Sequence, residues 1–354
     1  MKILSYLYFL ITSLRNLLYD RKILKINKIE DLFVICIGNI TVGGTGKTPA
    51  VQYFAKKLTS EGKKVAVISR GYRGKRKIDP LVVSDGKEIF VTSLESGDEP
   101  YIHALNLKVP IIVGRDRYKA AKLAKEKFNV DTIILDDGFQ HRKFFRNWDI
   151  VLIDATNPFG WNALLPKGTL REKFDSAAKR GSEFIITKSD LIAERDLNKL
   201  KRFLRGKYGK PVSVARHGIK CLYDIEGNMK PLFWVKDKRV LLFSGLANPL
   251  NFEKTVISLN PKYIERIDFL DHHSFKDRDI ALIKKRAKEI NASYVITTEK
   301  DIVKIPKDIE WENLYVLKIE FDFLENNSLE CFKGGTNVRF QKQEWFFKRE
   351  WEIF

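Results

Sequence analysis

The chain has 354 residues, of which 44% are hydrophobic, so wholesale disorder is excluded and the length exceeds that of one average domain. Its 64 Lys and Arg against 45 Asp and Glu give a formal net charge of +19, which favours polyanionic partners such as nucleic acid, anionic lipid or phosphorylated substrates. The 3 cysteines are scattered without disulfide or metal-site spacing, as suits a reducing cytoplasm.

The first 20 residues predict an amphipathic helix. The apolar run between Lys2 and Arg15 is shorter than the about 20 residues that a membrane-spanning helix needs, and no small-residue cleavage site follows it. The wide apolar face favours a helix lying in a membrane interface, and the alternative is a helix docked on the protein body. An arc of about 100° on this helix is polar and holds Lys2, Ser5, Thr12, Ser13, Asn16 and Asp20.

Apolar segments alternate with helical segments along the rest of the chain. In the N-terminal half, strands are predicted over 32–38, 64–70, 110–114, 131–138 and 148–154, helices over 48–62 and 115–128, and a hairpin over 81–92. In the C-terminal half, strands are predicted over 211–217, 239–249, 264–270, 293–298 and 314–319, and helices near 250–259 and 276–290. Continuous β-branched runs between helices indicate an α/β fold with a mostly parallel sheet covered on both faces.

The strongest motif is TVGGTGKT, between a predicted strand and a predicted helix. Its glycines let the backbone curl with N–H groups pointing at phosphate oxygens, and the helix adds the positive end of its dipole. Lys47 can then reach the β- and γ-phosphates, and the Thr48 hydroxyl can ligate Mg²⁺. Thr41 stands where the strict pattern has glycine, and the alternative is a glycine-rich turn with a chance lysine. The predicted nucleotide loop comprises Thr41, Val42, Gly43, Gly44, Thr45, Gly46, Lys47 and Thr48.

A metal-binding carboxylate is expected at the end of a nearby strand. DTIILDDG supplies Asp136 and Asp137. Adjacent side chains on an extended chain point to opposite sides, so only one of the two carboxylates is expected to face the Mg²⁺, and Asp136 is the first choice. Paired acids at a strand end can also be simple turn formers. These motifs predict an NTP-binding protein of P-loop type, without choosing between kinase, switch GTPase and motor. TKSD at 187–190 even resembles a guanine-recognition sequence, although it is short enough to be chance.

A series of short motifs follows the chain in order. They are RNLLYDR (15–21), GNITVGGTGKTP (38–49), SRGYRG (69–74), SGDEP (96–100), VGRDR (113–117), LDDGFQHR (135–142), LLPKGTLRE (164–172), FSGLANP (243–249), DHHSF (271–275) and TTEKDIVKI (297–305). This ordered set resembles the tetraacyldisaccharide 4'-kinases of lipid A biosynthesis, from the N-terminus to about residue 320.

The resemblance implies ATP and Mg²⁺ as cofactors and a lipid A disaccharide 1-phosphate as the acceptor, phosphorylated at its 4'-hydroxyl. It also implies peripheral attachment at the cytoplasmic face of the inner membrane. An interfacial helix and a basic charge suit an anionic membrane surface as a partner. No nucleic-acid recognition module appears, and no protein partner is evident.

The resemblance also assigns catalytic residues. Asp98 and His272 match a carboxylate–imidazole pair that handles the proton of the attacking hydroxyl, and either of them could accept it. Arg171 would neutralise charge developing on the γ-phosphate, together with Lys47, and Glu172 would join Thr48 and Asp136 around the Mg²⁺. Without the resemblance, an Arg-Glu pair is usually a surface salt bridge and a DHH turn is usually just polar.

The remaining basic motifs are expected beside the acceptor, where they would bind the glycolipid phosphate or simply solvate a rim. His141 is expected to support the metal carboxylates, whereas His103 and His217 are assigned no role. The residues predicted to bind substrate are Arg70, Tyr72, Arg73, Arg115 and Arg117.

The expected organisation is a P-loop NTPase-like domain followed by a second, smaller α/β domain, with a boundary near residue 220 where GNMKP indicates turns. The units are an N-terminal membrane-interface helix at 1–24, a P-loop kinase domain at 25–220, the smaller domain at 221–325 and a tail of unassigned role at 326–354. Two rival functions stay open at this point: a kinase for a soluble small molecule, and a membrane-associated NTPase switch.

Overall fold

A computed structural model describes residues 2–306 and 309–325, so the tail at 326–354 lies outside the described residues. The helices are α1 Lys2–Asp20, α2 Lys47–Ser60, α3 Ser93–Ser96, α4 Asp98–Asn106, α5 Arg117–Phe128, α6 Phe174–Arg180, α7 Glu194–Tyr208, α8 Pro249–Ile257, α9 Asp277–Glu289 and α10 Glu299–Ile302. The strands are β1 Phe33–Asn39, β2 Val65–Ser69, β3 Leu81–Ser84, β4 Ile111–Val113, β5 Thr132–Asp136, β6 Trp148–Asp154, β7 Glu183–Thr187, β8 Val212–Asp224, β9 Met229–Lys230, β10 Arg239–Ser244, β11 Tyr263–Asp268, β12 Tyr294–Thr298 and β13 Leu314–Glu325.

All of these strands belong to one mixed sheet, and the predicted mostly parallel α/β architecture is confirmed. Its order is β11-β10-β12-β13-β8-β7-β6-β1-β5-β2-β4-β3, with β9 paired to β8. Neighbouring strands are parallel except at three places, where β3 meets β4, β8 meets β13 and β9 meets β8. The central strands β1 and β5 are buried on both faces, as helix-covered parallel strands require, whereas the edge strand β11 has only half-buried and exposed residues.

The central strand β1 runs between β5 and β6 and leads into the glycine-rich segment. Helix α2 covers one face of the sheet here, with Phe54 and Leu58 fully buried in the core. The carboxyl ends of β1 and β5 are adjacent, since Ile37 pairs with Asp136. The two predicted phosphate and metal motifs therefore leave the sheet side by side.

The hairpin predicted over 81–92 is only half formed. Its first arm is β3, but its second arm contributes a single bridge between Ser84 and Ile89. Thr92 caps the start of α3 in a reciprocal capping box with Glu95, so the chain turns into a helix before a second strand can extend. Strand β3 pairs with β4 instead.

The boundary predicted near residue 220 falls inside β8, which runs unbroken through residues 212–224. Strand β8 pairs with β7 of the N-terminal half and with β13 of the C-terminal half. Phe243 lies in an apolar cluster of the C-terminal half alone, whereas the cluster that contains Phe54 also includes Phe321 of β13. The two-domain division stays a prediction, and the two halves share one sheet.

The N-terminal helix forms as predicted, but its polar arc faces the protein. Thr12 and Asn16 are only 6% and 4% exposed, whereas a row of large apolar side chains on the same helix is exposed to solvent. Among the described helices, none combines the length and apolar character needed to cross a bilayer. The exposed apolar residues of α1 are Ile3, Leu4, Tyr6, Leu7, Leu10, Ile11, Leu14 and Leu17.

Candidate active site

The loop of residues 41–48 lies at the carboxyl end of β1 and opens directly into α2. Gly43 and Gly46 adopt positive φ angles of 113° and 84°, which glycine tolerates best. A Cβ added at Gly46 would lie 2.0 Å from Nε2 of His217, so the close packing requires glycine there. The Thr187 hydroxyl donates to the Thr45 carbonyl oxygen at 3.0 Å, and this bond fixes the loop to the end of β7.

Lys47 is buried at the first turn of α2, with its ammonium group held between two strand ends. Its Nζ lies 3.4 Å from Oδ1 of Asn39 at the end of β1 and 3.9 Å from Oδ1 of Asp137 after β5. A lysine in this place presents its charge where the strand ends and the helix N-terminus converge. That arrangement suits a polyphosphate lying along the loop.

The two aspartates after β5 have different environments. Asp136 is fully buried, and its Oδ2 lies 3.3 Å from Nε2 of His103, while its Oδ1 has no hydrogen-bond partner among the described residues. Asp137 has a positive φ of 51° and accepts from Nη1 of Arg171 at 2.8 and 3.0 Å. One carboxylate thus faces α4, and the other faces Lys47 and Arg171.

Glu172 has several partners within the protein. The carboxylate is buried and accepts two bonds from Arg180, both at 2.8 Å, one from Asn16 at 2.7 Å and one from Gln140 at 3.3 Å. Burial by itself would raise the pKa of Glu172, but these hydrogen bonds and the Arg180 charge hold that pKa below its usual value. The structure gives Glu172 an anchoring position, and its expected magnesium role stays a prediction.

Asp98 and His272 are 174 positions apart in the chain and meet in the fold. Asp98 begins α4, and its Oδ2 lies 3.1 Å from Nδ1 of His272 in the loop after β11. His272 has a positive φ of 61°, and its N–H donates to the Gly245 carbonyl. Both side chains are only partly exposed, which is suitable for a proton-handling pair at the edge of a cleft.

The SRGYRG segment lies beside this pair. The Tyr72 ring centroid is 5.9 Å from that of His272, and Nη1 of Arg73 donates to the Asp271 carbonyl at 3.3 Å. These contacts bring two of the predicted acceptor-binding residues to the Asp98–His272 pair.

The other arginines predicted to bind substrate differ in exposure. Arg117 is 5% exposed and Nη1 donates to the Arg115 carbonyl at 3.1 Å, whereas the Arg115 side chain is largely in solvent. Burial lowers the pKa of Arg117, and the neighbouring Arg70 guanidinium lowers it further. A neighbouring anion would oppose both effects, because it would favour the charged guanidinium.

Three histidines differ from the sequence expectations. No hydrogen bond in the described chain joins His141 to either aspartate, and burial lowers its pKa to about 4. His217 packs on the phosphate loop, and burial lowers its pKa to about 4 as well. His103, to which sequence reasoning gave no role, contacts Asp136 from α4. No pattern in the sequence indicated this contact.

Within the described residues, no group of three or more His, Cys, Asp or Glu forms a metal cage. Magnesium is usually held by one or two carboxylates, a hydroxyl, phosphate oxygens and water, so it does not need such a cage. The unpartnered buried Oδ1 of Asp136, near the start of α2, is an oxygen donor of the kind that this ion prefers.

Comparison with known proteins gives a consistent result. The family model described as tetraacyldisaccharide-1-P 4'-kinase matches residues 1–332. A tetraacyldisaccharide 4'-kinase of Halothermothrix orenii is 41% identical over 342 residues, covering 90% of this chain and 88% of the relative. One of Syntrophus aciditrophicus is 36% identical and covers 86% and 83%. The crystal structure of an "apo" form LpxK from Aquifex aeolicus in complex with ATP is 33% identical, with a TM-score of 0.72 and coverage of 93% and 95%.

We predict that Gly46→Ala weakens nucleotide binding. The new methyl group would collide with the His217 ring and force a strained φ, which displaces the loop's N–H groups. ATP affinity measured by titration calorimetry should fall at least about ten-fold. Gly62→Ala is the matched control because Gly62 has a similar φ of 83° with no atom within 4 Å of the added Cβ. It should cost about 1 kcal/mol of stability and leave ATP affinity unchanged. Equal ATP affinity in both variants would contradict the prediction.

Proposed function

The chain belongs to the tetraacyldisaccharide-1-P 4'-kinase family and transfers the γ-phosphoryl group of ATP to the 4'-hydroxyl of a lipid A disaccharide 1-phosphate, and we propose that the loop at 41–48 and the Asp98–His272 pair form the two halves of its active site. The observation that supports this most directly is the 3.1 Å contact between Asp98 and His272. The Lys47 ammonium helps to lower the pKa of the Glu99 carboxyl, and Glu99 directly follows Asp98 in the chain. The loop and the Asp98–His272 pair are therefore close enough to interact electrostatically.

The loop would hold the ATP triphosphate. Its backbone N–H groups and the N-terminus of α2 supply positive potential without needing reorganisation. Lys47, already buried between Asn39 and Asp137, would bridge the β- and γ-phosphates. Gly46, packed against His217, keeps the loop backbone close to where the phosphates lie.

Magnesium fits the oxygen donors present. The Thr48 hydroxyl and the free Oδ1 of Asp136 would hold the ion, with Asp137 close by. When bound, Mg²⁺ neutralises charge on the β- and γ-phosphates. His103 would fix the rotamer of Asp136 through its other oxygen. Glu172 remains an expected ligand that would have to release part of its present hydrogen bonding.

Proton transfer is assigned to the Asp98–His272 pair. As the 4'-hydroxyl oxygen forms its bond to phosphorus and the bond to the ADP oxygen breaks, the hydroxyl proton passes to this pair. Asp98 would accept it directly, with His272 raising its basicity, or His272 would accept it while Asp98 stabilises the imidazolium. Arg171, which pairs with Asp137 through Nη1, would direct its other N–H groups to the transferring phosphoryl group.

The acceptor phosphate would bind the neighbouring cations. Arg117 is buried with Arg70 as a cationic neighbour, and Tyr72 and Arg73 lie beside His272 and Asp271. An anion bound by these groups would favour the charged form of Arg117, whose pKa is lowered first by burial and then by Arg70. Arg115, which is mostly in solvent, would contribute at the outer rim.

The exposed apolar side of α1 would lie in the bilayer interface. Leu7, Leu10 and Leu14 are each about half exposed or more, an unusual arrangement for a helix of a soluble protein. The whole chain has a formal net charge of +19, so a basic protein with this helix suits an anionic leaflet. We assign the protein to the cytoplasmic face of the inner membrane. We propose no nucleic-acid or protein partner.

The decisive assay uses γ-labelled ATP, Mg²⁺ and the disaccharide 1-phosphate in mixed micelles. The wild type should place label in the lipid, and Lys47→Ala should lower the rate at least about 100-fold because the main charge on the γ-phosphate is lost. Lys57→Ala, on the exposed side of the same helix, is the control and should retain the rate. Near-normal transfer by Lys47→Ala would remove the loop from the proposed site.

Replacement of His272 with Ala should lower kcat by about 100-fold or more while the affinity for ATP is retained. The side chain contacts Asp98 and lies at the acceptor side, so it has no part in holding the triphosphate. His273→Ala is the neighbouring control, because that ring bonds to Asp279 within its own half. Weakened ATP binding with an unchanged kcat would show that His272 does not act in the transfer step.

The membrane proposal predicts that Leu10→Gln combined with Leu14→Gln weakens binding to vesicles of phosphatidylglycerol and phosphatidylcholine. Burial of each leucine side chain in lipid would contribute about 1.5–3 kcal/mol to the binding free energy. The amount of protein that sediments with the vesicles should therefore fall at least ten-fold. Leu282→Gln on α9 changes an equally exposed leucine elsewhere and is the control. Unchanged sedimentation of the α1 variant would instead support a helix with no membrane contact.

A further inference from the structure

Helix α1 presents a row of polar side chains to the body of the protein, at the spacing of one helical face. The Ser5 hydroxyl donates to the Leu164 carbonyl at 3.2 Å, and the Tyr8 hydroxyl donates to the Arg171 carbonyl at 2.9 Å. Two turns later, Nδ2 of Asn16 donates to Oε2 of Glu172 at 2.7 Å. All three bonds end on the segment 164–172, which contains the proposed phosphoryl-stabilising arginine.

The last of these bonds is buried and charge-assisted. Asn16 is 4% exposed, and Glu172 is fully buried with a lowered pKa, so the amide donates to an ionised carboxylate. Bonds of this kind are shorter and stronger than neutral ones. Arg180 holds the same carboxylate from the far side. Asn16 therefore occupies one of the few donor positions on a carboxylate that has no access to water.

Gln140 extends this connection to the active site. Its amide nitrogen donates to Oε1 of Glu172 at 3.3 Å and to the Asn39 carbonyl at 3.0 Å. Its amide oxygen accepts from Nη1 of Arg171 at 3.2 Å. The same Nη1 bonds Asp137, whose Oδ1 lies 3.9 Å from Lys47. A chain of hydrogen bonds thus joins α1 to Asp137, and the Asp137–Lys47 ion pair continues it to the lysine of the phosphate loop.

We propose that Asn16 is a positioning residue for phosphoryl transfer. Asn16 fixes the place of the Arg171 side chain through Glu172 and Gln140. Helix α1 would then have two functions, the proposed contact with lipid and the positioning of Arg171. Without the Asn16 donor, Glu172 would draw the Gln140 amide toward itself, and Gln140 would no longer hold the Arg171 guanidinium at its present place. The inference rests on the proposed role of Arg171 in stabilising the transferring group.

The test uses the full chain in detergent micelles, where anchoring to a bilayer plays no part. Asn16→Ala should lower kcat roughly ten-fold, with little change in KM for ATP or lipid. Thr12→Val is the matched control, because Thr12 is equally buried on the same face but its hydroxyl bonds only to the carbonyls of Tyr8 and Phe9 in its own helix among the described contacts. It should retain kcat even where it lowers the melting temperature.

Two further variants separate positioning from simple packing. Asn16→Asp keeps the shape but sets a second carboxylate in place of the donating amide against Glu172, so kcat should fall further than in Asn16→Ala. In a double-mutant cycle, Asn16→Ala should add little to Gln140→Ala, because both break the same path. Additive losses in the double mutant would overturn the proposal.

Arg171→Ala in the same assay distinguishes failure of this inference from failure of its premise. If Arg171→Ala loses turnover while Asn16→Ala matches Thr12→Val, the positioning role of Asn16 is wrong and the role of Arg171 stands. If Arg171→Ala retains full turnover, the assigned role of Arg171 is wrong and the positioning argument falls with it.

Discussion

The antiparallel ladder between β8 and β13 is the constraint on which the site depends. Strand β7 pairs with β8 as far as Val214, whereas β12 pairs with β13 up to Leu317, which lies opposite Leu222. The parallel strands on the two sides of this ladder run in opposite directions, so their carboxyl ends face each other across residues 214–222, roughly 26 Å of extended strand. Ligands of α/β sheets bind at carboxyl ends, and here two such edges border one space.

The contacts across that space are made by residues that follow the strands at the two edges. Asp98 meets His272, Arg73 donates to the Asp271 carbonyl, and Glu99 pairs with Lys300 at 2.9 Å. Burial opposes ionisation of Glu99, yet the Lys300 ammonium holds the pKa of that carboxyl at about 2. The proposed base is thus assembled from both halves, and a single half of the sheet could not supply it.

Local features of this fold could be predicted from the sequence, whereas long-range pairs could not. The apolar run before residue 39 and the glycines after it specify a strand and a phosphate loop without knowledge of any other segment. The pairing of Asp98 with His272 followed only from family resemblance, since nothing in either motif identifies its partner. The contact between His103 and Asp136 gave no signal, because one histidine on a short helix has no direction in a sequence pattern. The hairpin over 81–92 is only half formed, because a capping box at Thr92 starts a helix where its second strand would end.

Helix α1 shows why amphipathicity predicts a helix more easily than its orientation. A surface helix of a soluble protein buries its apolar face, yet here Asn16 is buried and Leu14 is exposed. Burying polar side chains is unfavourable unless each finds a partner, and Ser5, Tyr8 and Asn16 each donate to the segment at 164–172. The spacing of polar and apolar residues in the sequence correctly separated the two faces of the helix. It could not show that the polar face would be paired with the protein. If α1 lies in a membrane interface as proposed, lipid rather than the core would solvate its leucines, which leaves the polar face free to bond to the segment at 164–172.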